Sequence, residues 1–450
     1  MQQPFYIKST CTERRKNLDL LKDNLKGLYQ KYLLPSFASA LMISIYSFVD
    51  TIAVGQYAGP AGTAAIAVVT PLYGIFTFFA VLCGVGGAVL LGKSRGEGNY
   101  EKGNTYFTAS LILIFFFTAV LWILFLVCRN PILRFFGADD ALMPEVIQYA
   151  KWLIWFLPVF LLPTSLGAFL RNDGAPRLAM AAVLIGGCVN VFGDWFFVFP
   201  LDMGLSGAAL ATLIGNGVQA LIMISHFFRP SCRLKLSMPS HPFQTFRKIL
   251  SIGIGASVID FATVFLIILI NNQIMRYGTS TDLAVYGVAA TIAVLFQAMF
   301  CGVGQAIQPI VSANYGANQP ERCRKAWQMS FRTVLLLGVF FLMVCVLFPT
   351  QIVRLFMAVN NEVLAASPRI MRIYCTLFLF QGITVLSTYY LQSIMQNRQS
   401  MAVSLLRSAV LSGILLAVLP MFFGITGVWI AQPVSECITT VIALLFIQKN

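Results

Sequence analysis

Four acidic residues stand inside long apolar stretches, where acids are rare: Asp50, Asp194, Asp260 and Glu436. Burying a charge in hydrocarbon costs at least ~2.5–3.5 kcal/mol, and such acids mark ion or substrate pathways by default. Along the sequence no Lys or Arg lies equally deep in its stretch, Arg407 coming nearest. We therefore expect the partner of these carboxylates to be a mobile cation.

Two of the four acids have a polar residue four positions earlier: Tyr46 precedes Asp50, and Asn190 precedes Asp194. This spacing places each pair on one face of a helix. With Thr212 they would supply two carboxylates, an amide carbonyl and hydroxyls. Such oxygens can ligate Na⁺, the metal set then being Asp50, Asn190, Asp194 and Thr212, or they can hold a proton shared by close carboxylates. A purely structural role remains the alternative, most of all for Asp260 and Glu436.

The amino-acid composition indicates which class of protein contains these acidic residues. Of 450 residues 58% are hydrophobic and only 11% charged, whereas a soluble domain has about 25% charged residues. The chain is therefore a polytopic membrane protein, and we predict twelve apolar spans: 32–56, 64–92, 106–128, 148–170, 178–200, 204–228, 247–275, 284–312, 331–349, 366–394, 400–421 and 424–447.

Basic residues gather on one side of these spans. With the N-terminus inside, 24 of the 31 Lys and Arg residues fall on the cytoplasmic side, so both termini are expected there. The net charge of +14 thus indicates loops at a membrane and not a nucleic-acid partner. Leu18, Leu21, Leu25 and Leu28 recur near helical spacing and suggest an interfacial helix, with a solvated tail as the alternative.

The chain repeats itself at an interval of about 220 residues. The sequence of Cys83 to Gly86 (CGVG) is repeated at 301–304, and Gly204 to Gly207 (GLSG) is similar to GITG at 424–427. Since six spans separate equivalent points, the halves share one orientation. We predict an N-terminal cytoplasmic or interfacial segment (1–30), an N-lobe (31–228), a cytoplasmic linker (229–246) and a C-lobe (247–450). Chance matching of Gly-rich helix ends is the alternative.

Several segments resemble the multidrug and toxic-compound extrusion (MATE) family. They are YSFVDTIAVG (46–55), RNDGAPRLAM (171–180), and Asn190 to Asp194 followed by GLSGAALAT (204–212). The resemblance implies an all-α membrane protein of two six-helix lobes around a central cleft. It further implies residue roles: cation coupling at Tyr46, Asp50, Asn190, Asp194 and Thr212, a hinge at Pro35, and substrate-cavity positions at Tyr149 and Asp260.

One feature departs from the family pattern. Some branches place a pair of acids on the seventh and tenth spans, and the tenth span here (366–394) contains no acid. We therefore do not expect a cation site in the C-lobe.

The function implied is secondary active antiport. Amphipathic cationic drugs or toxic organic compounds would be exported across the plasma (inner) membrane in exchange for H⁺ or Na⁺, by a monomer that alternates access. No cofactor is expected. An enzyme is disfavoured, because the chain has two His residues and neither an H-E-x-x-H nor a G-x-S-x-G motif. A flippase for a lipid-linked saccharide is the alternative; it would favour basic residues inside the cavity, and none is evident deep in a span.

Overall fold

The computed structural model describes residues 20–136, 138, 140, 142–356 and 361–449, and within them the chain is helical with no strand. Fifteen α-helices follow one another: α1 Leu25–Gly96, α2 Tyr100–Phe135, α3 Met143–Trp155, α4 Leu157–Asn172, α5 Pro176–Val198, α6 Gly204–Ile224, α7 Pro242–Tyr277, α8 Ser280–Gly316, α9 Pro320–Leu347, α10 Pro349–Phe356, α11 Asn361–Tyr374, α12 Phe378–Ser393, α13 Asn397–Leu405, α14 Leu411–Phe423 and α15 Ile425–Gln448. A π-helical turn, Leu406–Val410, joins α13 to α14.

These helices account for the predicted spans. Ten segments in the described part are long and apolar enough to cross a bilayer, two of them in α1 (Leu25–Ala58 and Val68–Gly96), and the pair α3–α4 makes an eleventh. The 36-residue α7 coincides with the seventh predicted span. The predicted all-α membrane fold is confirmed.

The fourth predicted span is broken rather than straight. Helices α3 and α4 meet at 58°, because Phe156 leaves the helical conformation and Pro158 has no N–H to continue the ladder. The break turns α3, which carries Tyr149, away from the line of α4.

The two spans of α1 run in opposite directions. The Tyr32 hydroxyl donates to Arg171 O at 3.1 Å, and Arg95 Nη1 donates to Asn172 O at 3.2 Å, so positions 32 and 95 lie at one end of the molecule. Tyr57 instead donates to Asp202, beyond the far end of α5. We call the end with Arg95 and Arg171 the basic end.

The two halves meet at the basic end through a pair of equivalent contacts. A Cβ added at Gly96 would overlap Ala313 O, and one added at Gly316 would overlap Lys93 O. The partners are related by the same 220-residue offset as the sequence repeat. Exchange of equivalent residues across a contact is the mark of a two-fold relation, which agrees with the predicted parallel repeat.

The first described residues and the first turn of α1 pack against the C-terminal half. Leu20 O accepts from Asn314 and Arg322, and Leu28 is buried with helices of the second half. This differs from the predicted interfacial helix, because Leu28 finds an apolar protein surface instead of lipid headgroups. Residues 1–19 of the predicted segment 1–30 lie outside the described residues.

The linker is extended and lies against α2. Backbone N–H groups of Lys235 and Ser237 donate to Asn104 Oδ1 at 3.3 Å and to Thr108 Oγ1 at 2.8 Å. Helix α7 begins at Pro242, four residues before the predicted linker end, since Pro is favoured at the first turn of a helix.

Candidate cation site

The first half of the site joins α1 to α3. Asp50 is only 8% exposed, and its Oδ2 accepts a hydrogen bond of 2.8 Å from the buried Tyr149 hydroxyl. Its Oδ1 is buried without a hydrogen-bond partner. Tyr149, predicted to line the cavity, thus touches the proposed coupling acid directly.

The second half of the site lies where α5 packs on α6. Small residues allow this close approach: a Cβ at Gly215 would lie 2.9 Å from Asn190 Cβ. Across the contact Asn190 Nδ2 donates to Thr212 Oγ1 at 3.1 Å, and Thr212 Oγ1 donates to Ala208 O at 3.2 Å. Asn190 Oδ1 remains buried without a donor.

Asp194 completes the cluster. Its side chain is fully buried, neither oxygen has a hydrogen-bond partner, and it lies close enough to Asp50 for the two charges to repel. Within the described residues neither acid forms an ion pair. Buried acceptors are ordinarily satisfied, so oxygens of Asp50, Asn190 and Asp194 that lack donors suit a bound cation or added protons.

Tyr46 borders the cluster on α1. Its ring lies 3.3 Å from where a Gly187 Cβ would be, and its hydroxyl lies near Gln219 of α6. The five predicted coupling residues thus come from three helices that pack on one another. Pro35 lies inside α1 without ending it, and its hinge role stays a prediction.

Two polar residues of this region were missed by sequence reasoning. Tyr73 lies beside Tyr149 and within electrostatic reach of Asp50, and Gln219 lies near Tyr46. The polar position of Gln219 in an apolar span was an available signal. The side chain of Asp260 lies outside those that the structure describes.

The expectation of a mobile cation is wrong for Glu436. Its Oε1 accepts from Arg407 Nε at 3.0 Å and Nη2 at 2.8 Å, and its Oε2 accepts from Thr384 at 2.6 Å. Arg407, only 4% exposed, is also a basic residue deep in the protein, contrary to the prediction. Arg407 lies in the π-helical turn, which adds a residue to the helix and so changes the face on which later side chains lie. The sequence alone does not show this change.

Comparison with known proteins identifies the family of the chain. The MatE family model matches residues 35–196 and 256–419, one segment in each half. The chain belongs to the MatE family. The first segment includes Tyr46, Asp50, Tyr149, Asn190 and Asp194, whereas Thr212 lies beyond its end.

Named relatives of this MATE chain are drug exporters. It is 23% identical over 423 residues to the multidrug export protein MepA of Staphylococcus aureus strain MSSA476, with 92% of each chain covered. It is 22% identical over 426 residues to MepA of Staphylococcus saprophyticus, covering 94% of this chain and 93% of the relative.

Solved structures show the same fold. An outward-facing multidrug resistance MATE transporter of the MOP superfamily superimposes with a TM-score of 0.90 at 20% identity, covering 96% of this chain and 97% of that one. A MATE transporter in the straight conformation gives a TM-score of 0.89 at 21% identity, covering 96% and 97%.

Proposed function

We propose that this MATE transporter is a secondary active antiporter that exports amphipathic cationic compounds in exchange for H⁺ or Na⁺. The observation that carries the proposal is the buried cluster of Asp50, Asn190 and Asp194, in which Asp50 Oδ1, Asn190 Oδ1 and both Asp194 oxygens lack donors and, among the described residues, neither acid has a fixed counter-charge. Unpaired carboxylates are costly in such a place, so a cation must neutralise them for part of the cycle.

Coupling would act on the conformational equilibrium. A ligand shifts an equilibrium only through different affinities for its states. Here the halves are in contact at the basic end through Gly96 and Gly316. We propose that cation and drug compete for this equilibrium: the cation-bound protein opens the basic end and releases the cation to the cytoplasm, and the drug-bound protein closes this end and opens the opposite one.

The substrate class and membrane side are part of the same proposal. Relatives of this chain are named multidrug export proteins. The basic end faces the cytoplasm of a plasma (inner) membrane, which also places both termini inside. The transporter works as a monomer without a cofactor.

Reconstituted vesicles test the proposal. Ethidium uptake into inside-out proteoliposomes is followed by fluorescence while an outward proton gradient and an outward sodium gradient are imposed or collapsed separately. We expect accumulation that stops when one of the gradients is removed, and no accumulation with Asp50→Asn. Equal accumulation with neither gradient would contradict antiport.

The flippase alternative is less favoured. A pyrophosphate headgroup needs several uncompensated positive charges, whereas the deep Arg407 is bound to Glu436 as a neutral pair. The matched family and relatives named for drug export point the same way.

A further inference from the structure

The C-terminal half contains a second polar cavity that the cation cluster does not use. Its volume is about 50 Å³, and it lies among α7, α8, α11, α12, α15 and the π-helical turn. Aliphatic side chains make one wall, and the other carries polar groups: Tyr286, Gln297, Tyr374, Gln381, Arg407, Ser408 and Gln432.

This cavity is the repeat counterpart of the cation site. The 220-residue offset relates Thr212 to Gln432 and Asn216 to Glu436. The site in the first half is acidic, whereas its counterpart presents a guanidinium. The two halves therefore differ at equivalent places: the first has carboxylates without an ion-pair partner among the described residues, and the second has the ion pair of Arg407 and Glu436.

Arg407 has hydrogen-bonding capacity left for a ligand. Its Nε and Nη2 are bound to Glu436, but Nη1 is buried without a partner, although the residue lines the cavity. A buried N–H donor without an acceptor is costly, and a guanidinium suits a carboxylate best. Gln432 lines the same cavity, its Oε1 has no donor, and a rotated amide presents its NH₂ as a further donor, whereas the Gln381 amide already donates to Gln297 at 3.0 Å.

The size of the cavity and the charges that line it limit which ligands can bind there. The free space admits one carboxyl-sized group with its apolar attachment, not a whole drug. Because Arg407 and Glu436 already cancel each other's charge, a carboxylate enters most easily on a molecule that carries its own cation. Resting on the proposed export function, we propose that this cavity is a subsite for the carboxylate of zwitterionic amphipathic substrates.

A matched pair of dyes tests the subsite. Rhodamine 110 carries a free carboxyl group, and rhodamine 123 is its methyl ester. Binding of each to the purified full-length protein in detergent is measured by fluorescence polarisation. Arg407→Gln combined with Glu436→Gln removes both charges without leaving one unpaired. We expect this double variant to bind the free acid at least about tenfold more weakly and the ester within about twofold of the parent.

Arg369→Gln is the matched control. Arg369 donates to Thr426, away from the cavity, so both dyes should bind this variant as they bind the parent. If the double variant does not fold, Gln432→Leu serves instead, because it removes a polar wall and leaves the ion pair intact. Selective loss of the acid supports the subsite. Unchanged acid binding, or equal loss of both dyes, overturns it.

The result is separable from the antiport proposal. Dye binding in detergent needs no gradient, so a selective loss stands even if ethidium accumulation in vesicles proves independent of H⁺ and Na⁺. Conversely, gradient-driven ethidium transport with unchanged acid binding refutes the subsite alone.

Discussion

Replacing Asp50 with Asn tests whether its carboxylate is needed for ion coupling and not for folding. The substitution keeps the shape of the side chain, and Tyr149 still finds an oxygen to which it donates. Loss of charge weakens that hydrogen bond by about 1 kcal/mol, while burial of a charge, worth at least ~2.5 kcal/mol in a membrane, is avoided. We therefore expect Asp50→Asn to fold and insert as well as the parent protein.

Coupling should nevertheless be lost. One pH unit is worth about 1.4 kcal/mol per proton, so one-for-one exchange supports at most about tenfold drug accumulation. With Asp50→Asn the ratio should fall to about one in vesicles that contain equal amounts of folded protein. The assay is ethidium accumulation under imposed proton and sodium gradients, with the folded fraction checked by size-exclusion chromatography. Tenfold accumulation by the variant would refute a coupling role for Asp50.

Other changes probe the remaining elements. Asp194→Asn should abolish accumulation too, and the double variant with Asp50→Asn should be no worse than the stronger single change, because both acids serve one site. Glu436→Gln leaves Arg407 buried and unpaired and should lower stability by about 3–5 kcal/mol, measured by thermal unfolding in detergent, yet the folded fraction should still transport. Gly96→Leu should separate the halves at the basic end and raise labelling of cysteines introduced there; unchanged labelling would contradict the described contact. Burial raises the pKa of Asp173, but the hydrogen bond from His226 and the charge of Arg95 lower it by more, to below the usual value; its contribution to stability is therefore present above about pH 4 and lost as the pH falls through the lowered pKa, so Asp173→Asn should be less stable than the parent at pH 7, and the difference should shrink as the pH falls below 4.

Spacing in the sequence was sufficient for the outline of the fold. Apolar runs predicted the helices, but their ends differ by up to seven residues in α1 and α2, and α9 begins eleven residues before its predicted span because its first turns are basic. The contacts of Gly96 with Ala313 and of Gly316 with Lys93 follow the 220-residue offset of the repeat, although the sequence did not predict them.

Spacing also brought together part of the cation site. The four-residue intervals put Tyr46 with Asp50 and Asn190 with Asp194 on single helix faces, as the structure has them. The hydrogen bond from Tyr149 was not predictable, since it depends on the bend between α3 and α4.

The ion pair of Glu436 with Arg407 could not be predicted from the sequence. Depth along a span does not tell which face a side chain occupies, and the π-helical turn at Leu406–Val410 shifts that face by an extra residue. A four-residue rule assumes an unbroken α-helix, so it could not place Arg407 beside an acid on another helix.

Ion displacement by a drug tests the central claim most directly. Purified protein in weakly buffered detergent solution is titrated with ethidium while the pH is recorded. In a parallel experiment the protein is first loaded with ²²Na⁺, and the amount of ²²Na⁺ that ethidium releases is measured. The account predicts release of protons or of sodium in proportion to drug bound, and no release from the Asp50→Asn, Asp194→Asn double variant. Drug binding that displaces neither ion would contradict coupling through this site.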